Sequence, residues 1–221
     1  DVHDAIGSNI RIDSRGNEVL RILPRLHEDV NEEWISDRTR FSYDGLKYSR
    51  LDRPYIRNKD SGKLQEASWD DAFAYISERL KGTKGEKIAA LAGDLADVES
   101  MAALKDLMNA LGSPNMDCRT DGSQIDPSNR AGYIFNSGIA GIDEADSILL
   151  IGTNPRFEGT LVNARIRKAW LERRVPIALI GEAVDLTYPY HHAGTTIQDL
   201  EKMVKEYAGK AKAEKPMIII G

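Results

Sequence analysis

The sequence is poor in the residues that carry most metal and thiol chemistry. A single cysteine, Cys118, stands in 221 residues. That excludes an internal disulfide framework and any cysteine-rich metal site within the chain, and it is in keeping with a reducing compartment. No apolar run approaches the roughly 20 residues that a membrane-spanning helix needs, so direct membrane insertion is not expected. Positive charge is not in excess either. Lys and Arg number 30 against 35 Asp and Glu, giving a net charge of −5. With the two signs interspersed, no field collects a phosphate backbone, and nucleic acid is not an expected partner. Neither the G-x-G-x-x-G fingerprint nor a phosphate loop ending in Gly-Lys-Ser/Thr occurs, so a free-standing nucleotide-binding module lacks its motif.

What is present is a chain 41% hydrophobic and 29% charged, long enough to bury a core and read as one medium domain with a smaller one attached. Residues 1–57 have the character of short strands and turns. In "SNIRIDSRGNEVLRILP", Ile10 and Ile12, then Val19, Arg21 and Leu23, alternate about a Ser-Arg-Gly-Asn turn, the pattern of a hairpin. Over 58–221 the period alternates between helix and strand. Ser68 is placed to cap a helix over 69–80, Asp70 and Asp71 favour its positive end, and Ala72, Phe73, Ile76 and Leu80 predict one buried face. A second helix, "DVESMAALKDLMNALG", is expected to turn Met101, Leu104, Leu107, Met108 and Leu111 inward and to stop at Gly112. Apolar runs at 88–92, 147–151, 175–180 and 217–220 predict strands buried on both faces. The expected fold class is α/β, a Rossmann-like, mostly parallel sheet flanked by helices, with a small N-terminal β-rich unit. "GKAKAEK" is expected to be a solvated loop or helix end. The start at Asp1 and the stop on "MIIIG" lead us to expect an excised piece of a longer chain.

Candidate chemistry is sparse. In a doubly wound sheet, ligands bind beyond the carboxyl ends of the strands, which directs attention to Gly152, Thr153, Asn154 and Pro155. Asn154 can offer an amide to a nucleotide, and the plain alternative is a strand-to-helix turn. His191 and His192 are adjacent, and adjacent rings seldom converge on one ion. Cys118 has Arg119 beside it and no nearby histidine, so a half-buried structural thiol is expected. Arg165 to Lys168, "RIRK", form either a solvated or a docking face opposite Val162, Ile166, Ala169 and Trp170. No nucleophile elbow or paired-carboxylate arrangement stands out.

The stretches "DAIGSNIRIDSRGNEVLRILPRLHEDVNEEWISDRTRFSYDGL" and "AGIDEADSILLIGTNPRFEGTLVNARIRKAWL" closely resemble the large iron-sulfur subunits of respiratory complex I, over essentially the whole chain. Those subunits belong to the molybdopterin oxidoreductase superfamily, and the chain resembles the start of their molybdopterin-oxidoreductase-like region. The resemblance implies a parent enzyme that passes electrons from NADH to quinone coupled to ion translocation. It also implies 4Fe-4S and 2Fe-2S clusters upstream, other peripheral-arm subunits of complex I as partners, and a place on the cytoplasmic or matrix side of the membrane. Active superfamily members open this region with a C-x2-C-x3-C run and place a fourth cysteine in a C-P-K-G-R-like segment, together holding a 4Fe-4S cluster. Laid on this sequence, the pattern falls on Asp1, Asp4, Ser8 and Ser36, with no thiolate at any of them. Iron in such clusters is held by sulfur, and hydroxyls with carboxylates are too hard a set to replace it. The Asp-Pro-Arg-type turn that helps active relatives hold their nucleotide cofactor is also replaced here, by "GEAVDLTY". No catalytic, cofactor-binding or metal-ligating residue is therefore expected within 1–221. The expected role is that of a non-catalytic structural domain; the alternative is a fragment of an active molybdopterin-dependent oxidoreductase.

Overall fold

The computed structural model describes residues 1–3, 5–48, 50–119, 122, 124–207 and 212–221, without the side chain of Tyr207. Asp4 and part of the "GKAKAEK" segment fall outside them. The chain groups into two units, residues 1–45 with 129–221, and residues 46–128. The division drawn from composition at residue 57 differs because Tyr55–Arg57 is a strand (β3) whose partner, Leu64–Glu66 (β4), follows it, so both fall in the second unit.

The first unit opens with the hairpin expected from sequence. Strands Ile10–Arg15 (β1) and Glu18–Pro24 (β2) pair antiparallel about Gly16, whose φ of 58° is the left-handed value that the turn requires. A short helix, Asp37–Phe41 (α1), follows behind its cap Ser36.

In the second unit, beyond β3 and β4, Ser68 caps helix Trp69–Leu80 (α2) by accepting from the Asp71 amide, as its position in the sequence predicts. A two-residue strand, Ala90–Leu91 (β5), helix Val98–Ala110 (α3) and strand Met116–Asp117 (β6) complete the unit. Two sequence expectations need correction here. The 88–92 run is shorter than expected and pairs parallel with β6, forming a ladder separate from that of the other three runs. The helix faces are also only partly buried. Ala72 and Met108 are covered, whereas Phe73 is 59% exposed and Ile76 and Leu107 are exposed as well. Periodicity reports which residues share a face, but it does not say whether anything in the same segment covers that face.

The rest of the first unit is the α/β layer. Strand Ser147–Ile151 (β7) leads through Pro155–Glu158 (α4) and Thr160–Arg173 (α5) to Ile177–Ile180 (β8). Then come His191–Gly194 (β9), helix Ile197–Tyr207 (α6) and Pro216–Ile220 (β10). The sheet order is β10-β7-β8-β9, parallel throughout, with Ile148 opposite Ile177 and Ile218 opposite Leu149. Ile148, Leu150, Leu179 and Ile219 meet Ile166 and Ala169 of α5 in one buried cluster. Each such aliphatic side chain contributes about 1.5–3 kcal/mol by leaving water. The expectation of burial on both faces holds in part, since on the other side Ile180 is buried while Ile218 and Ile220 are exposed.

Candidate functional site

Two places in the first unit carry the residues marked by sequence. The first is the segment before β1 together with the start of α1. Ser36 fills the N-cap role that hydroxyls favour, accepting from the Thr39 amide at 3.2 Å. Thr39 Oγ1 donates to Asp1 Oδ2 at 2.5 Å. A carboxylate can only accept, so Thr39 spends its proton there and accepts the Ser36 hydroxyl at 3.0 Å. Asp1 also accepts from the His3 amide at 2.9 Å, and its own nitrogen donates to the Ser8 carbonyl at 3.1 Å. Three of the four marked positions, Asp1, Ser8 and Ser36, are therefore joined in one network. The Ser36 hydroxyl is bonded, but the Ser8 hydroxyl is not: it is 1% exposed and has no hydrogen-bond partner among the described residues. Beside this network lies a cavity of about 220 Å³ lined by His3, Ser36, Asp37, Arg38, Arg156 and Thr160.

The second place is the carboxyl end of the parallel strands. Gly152, at φ 63°, turns the chain out of β7 and donates to the Ile180 carbonyl at 2.8 Å. The turn that follows is held from inside the chain. Glu158 accepts from the Asn154 amide at 2.7 Å and from the Thr153 hydroxyl at 3.1 Å, so a carboxylate of the protein already occupies the donors that an anionic ligand would use. Asn154 Oδ1 is buried without a partner among the described residues.

The loop after β8 is likewise self-contained. Arg156 Nη1 donates to Asp185 Oδ2 at 2.6 Å and to its carbonyl at 3.0 Å. The Thr187 amide, first, and the Arg156 guanidinium, second, hold the Asp185 carboxyl below its usual range. Tyr190 bonds both backbone groups of Val184. Leu186 and Tyr188 enter the core, with the Tyr188 hydroxyl donating to Asn163 Oδ1 at 2.8 Å. Burial raises the Tyr188 phenol well above its ordinary value, which leaves it a donor throughout the physiological range.

The remaining marked residues have structural roles or none. His191 and His192 lie on β9, which sequence reasoning missed because polar residues at a sheet edge break the apolar pattern. His192 Nε2 donates to the Gly181 carbonyl at 2.8 Å. Among the described residues no group of three or more His, Cys, Asp or Glu is placed to hold a metal ion. Cys118 is exposed, not half-buried as expected, because the short β6 ladder ends just before it, and Arg119 turns to Asp117 at 3.3 Å instead of to the thiol. The "RIRK" run divides between the two alternatives, with Arg165 docked inside the unit and Arg167 and Lys168 exposed. Arg165 is 3% exposed and reaches Asp143 Oδ2 at 2.9 Å and the Glu28 carbonyl at 2.6 Å, while Lys168 meets Glu32 at 2.7 Å. Sequence reasoning also passed over Asn31. Its buried side chain accepts from the Asn9 amide and donates to the carbonyls of Arg25, Glu32 and Trp34.

Comparison with known proteins places this geometry among relatives. The family model described as molybdopterin oxidoreductase matches residues 50–221. The model described as NADH-ubiquinone oxidoreductase NDSU1/NuoG-like, 4Fe-4S domain matches residues 1–44. The mitochondrial NADH dehydrogenase (ubiquinone) iron-sulfur protein 1 of Solanum tuberosum is 48% identical over 225 aligned residues, which cover 100% of this chain and 30% of that protein. An NADH-quinone oxidoreductase subunit of Rickettsia felis is 49% identical over 224, covering 100% of this chain and 33% of that one. Acetylene hydratase from Pelobacter acetylenicus superposes on 77% of this chain and 25% of its own, with a TM-score of 0.49 at 17% identity. The chain thus spans about a third of the length of the curated relatives it matches.

Proposed function

Since the chain belongs to the molybdopterin oxidoreductase family, we propose that it is a non-catalytic structural domain of the large iron-sulfur subunit of an NADH:quinone oxidoreductase, and that the cluster site of the family is empty of its chemistry here. One observation carries the reading. At the described positions where active relatives place cysteines, this chain has a carboxylate and two hydroxyls, and the Asp1 carboxylate and the Ser36 hydroxyl are already engaged with Thr39. Such donors do not fit a 4Fe-4S cluster, which thiolates hold. The turns beyond β7 and β8 support the same conclusion for the nucleotide cofactor, because Glu158 takes the donors of Thr153 and Asn154 and Asp185 already pairs the Arg156 charge. The parent subunit carries its 4Fe-4S and 2Fe-2S clusters upstream and works beside other peripheral-arm subunits of complex I, on the cytoplasmic or matrix side of the membrane. Among the described residues no helix is long and apolar enough to cross a membrane.

The test is iron and acid-labile sulfide content, with the low-temperature electron paramagnetic resonance spectrum, of the assembled enzyme carrying Ser36→Ala. Unchanged iron and an unchanged set of cluster signals are expected. Loss of one cluster's iron would defeat the reading, and pterin released from the native enzyme would favour an active molybdopterin-dependent oxidoreductase.

A further inference from the structure

The second unit holds a cavity that its own packing leaves unfilled. Strands β5 and β6 pair parallel, with Ala90 opposite Met116, and the Ala92 amide donates to the Asp117 carbonyl at 2.9 Å. Helix α3 connects the two strands, so it crosses one face of their ladder. On β5 the floor of the cavity is made by Ala90 and Ala92, alternate positions that share a side and carry short side chains. Along α3, Met101, Leu104 and Lys105 fall on one stripe by helical spacing. One turn beyond Leu104, Met108 is 2% exposed, whereas Met101 and Leu104 line an open space of about 560 Å³ together with the two alanines, Met116 and Ile125. Small-molecule sites are usually about 300–1,000 Å³. The whole of this lining belongs to the second unit, residues 46–128.

Charge is confined to the edge of the cavity. Lys105 is exposed and has no hydrogen bond or ion pair with a described residue. Arg119 lies just past the carboxyl end of β6, the end at which parallel sheets bind ligands. Its backbone amide and its Nε both donate to Asp117 Oδ1, at 3.0 and 3.3 Å, which leaves Nη1 and Nη2 without a described partner. Asp117 is the one carboxylate of the described lining, and it is turned back on its own chain. The amides of Arg119, first, and Cys118, second, hold its carboxyl below the usual range. Two cations with free donors therefore border an apolar space, in a chain whose net charge is −5. The described lining has no aromatic side chain on which a flat ring could stack. Its methionines, unbranched and adaptable, suit a flexible alkyl chain instead. We propose that this cavity binds a single-chain amphiphile with a carboxylate head, a fatty acid anion, whose tail lies among Met101, Leu104, Met116 and Ile125 and whose head meets Lys105 and the terminal nitrogens of Arg119. Charge complementarity selects this occupant. A neutral alkyl chain leaves both cations unpaired, a cationic amphiphile is repelled, and a carboxylate matches the guanidinium fork. Binding here goes beyond a structural role and does not depend on which enzyme the parent polypeptide serves.

The test uses the full-length polypeptide and dodecanoate carrying a terminal diazirine, with mass spectrometry of the peptides captured on irradiation. Capture within residues 90–125, blocked by unlabelled dodecanoate and not by dodecyltrimethylammonium, is the expected result. In calorimetric titration with saturated fatty acids below their micelle concentrations, affinity should rise about fourfold for each added methylene and level off once the cavity is full. Partition onto a general apolar surface would show no such limit. Lys105→Ala and Arg119→Ala change exposed side chains, so both should fold, and each should weaken dodecanoate binding about fivefold. Ala92→Leu fills part of the floor and should bring the plateau to a shorter chain, with Ala90→Leu as the second variant where the first does not fold. Four outcomes overturn the proposal: no saturable binding of dodecanoate to the folded polypeptide, capture only outside residues 90–125, equal competition by dodecyltrimethylammonium, or unchanged affinity in both cation variants.

Discussion

Arg165 of α5 donates through Nη2 to the carbonyl of Glu28 at 2.6 Å, joining positions 137 residues apart. Its other terminal nitrogen meets Asp143, so one buried guanidinium ties the loop after the hairpin and the 3-10 turn Ile139–Asp143 to the helix.

Removing that cation leaves the Glu28 carbonyl and Asp143 without their shared partner. Arg165→Met is expected to destabilise the fold by about 2–3 kcal/mol. Arg165→Lys, which keeps one charged donor but cannot reach both acceptors with a planar fork, should recover only part of the loss. Thermal unfolding of the three proteins checks this, and equal midpoints for Arg165→Met and wild type would remove the tie from the account of stability.

Asn31 acts in the same region without charge. Its buried side chain closes the 25–34 loop by accepting from the backbone and side-chain amides of Asn9 and by sharing its two amide hydrogens among three carbonyls. Asn31→Ala strands several backbone groups at once and should cost about 3 kcal/mol. Asn31→Asp should fare no better, because a carboxylate cannot donate to the carbonyls of Arg25, Glu32 and Trp34. Denaturant titration reads both variants.

These two residues show where sequence reasoning stops. The hairpin, the Ser68 cap and the Gly112 stop were legible because each is dictated by neighbours within a few positions, and the parallel pairing of 147–151 with 175–180 because a helix joins them. Arg165 and Asn31 sit in ordinary polar contexts, "NARIRK" and "EDVNEEW", and acquire their partners only through the fold. The helix faces misled for the converse reason. Phe73 and Ile76 have helical spacing, yet both are exposed, because spacing alone does not supply a cover. At the candidate site the four marked positions came from a pattern of relatives. The engagement of Asp1 with Thr39, and the use of Glu158 as an internal anion, had no signal in the sequence.

The Arg156–Asp185 pair predicts a pH dependence. The folded-state value of Asp185 lies below its ordinary 3.8, so the pair's contribution is fully present above that pH and is lost as pH falls through the lowered folded value. Asp185→Asn should therefore unfold at a lower temperature than wild type near neutrality, with the gap closing in acid below 3.8. Because the pair is solvent-exposed, added salt should also narrow the gap. A gap that closes in acid but does not respond to salt would assign the effect to the bond from the Thr187 amide and not to the ion pair.

Ser8 and Ser36 occupy corresponding positions of the cluster pattern but sit in opposite local situations, and alanine substitution should separate them. Ser36→Ala removes an N-cap and should cost about 1 kcal/mol. Ser8→Ala removes a buried hydroxyl with no partner and should be neutral or stabilising by about 1 kcal/mol. Opposite signs in chemical denaturation are the expected outcome, and a Ser8→Ala loss as large as that of Ser36→Ala would show that the Ser8 hydroxyl has a partner after all.

The last prediction concerns the cluster itself. Asp1, Ser8 and Ser36 are gathered into one network, so on the proposed reading this site differs from that of active relatives in ligand type more than in position. Substituting Asp1→Cys, Asp4→Cys, Ser8→Cys and Ser36→Cys together in the full-length subunit supplies thiolates where hydroxyls and carboxylates now stand, and metal affinity needs both the ligand and a nearly formed site. Reconstitution with iron and sulfide under reducing, anaerobic conditions should then add broad visible absorbance and about four irons per subunit relative to the unsubstituted protein. Single Ser36→Cys should add none, since one thiolate cannot hold a cubane. Failure of the quadruple variant to gain iron while it remains folded would show that the hydrogen-bonded network has drifted from the geometry a cluster requires, and that restoring the sulfur alone does not restore the site.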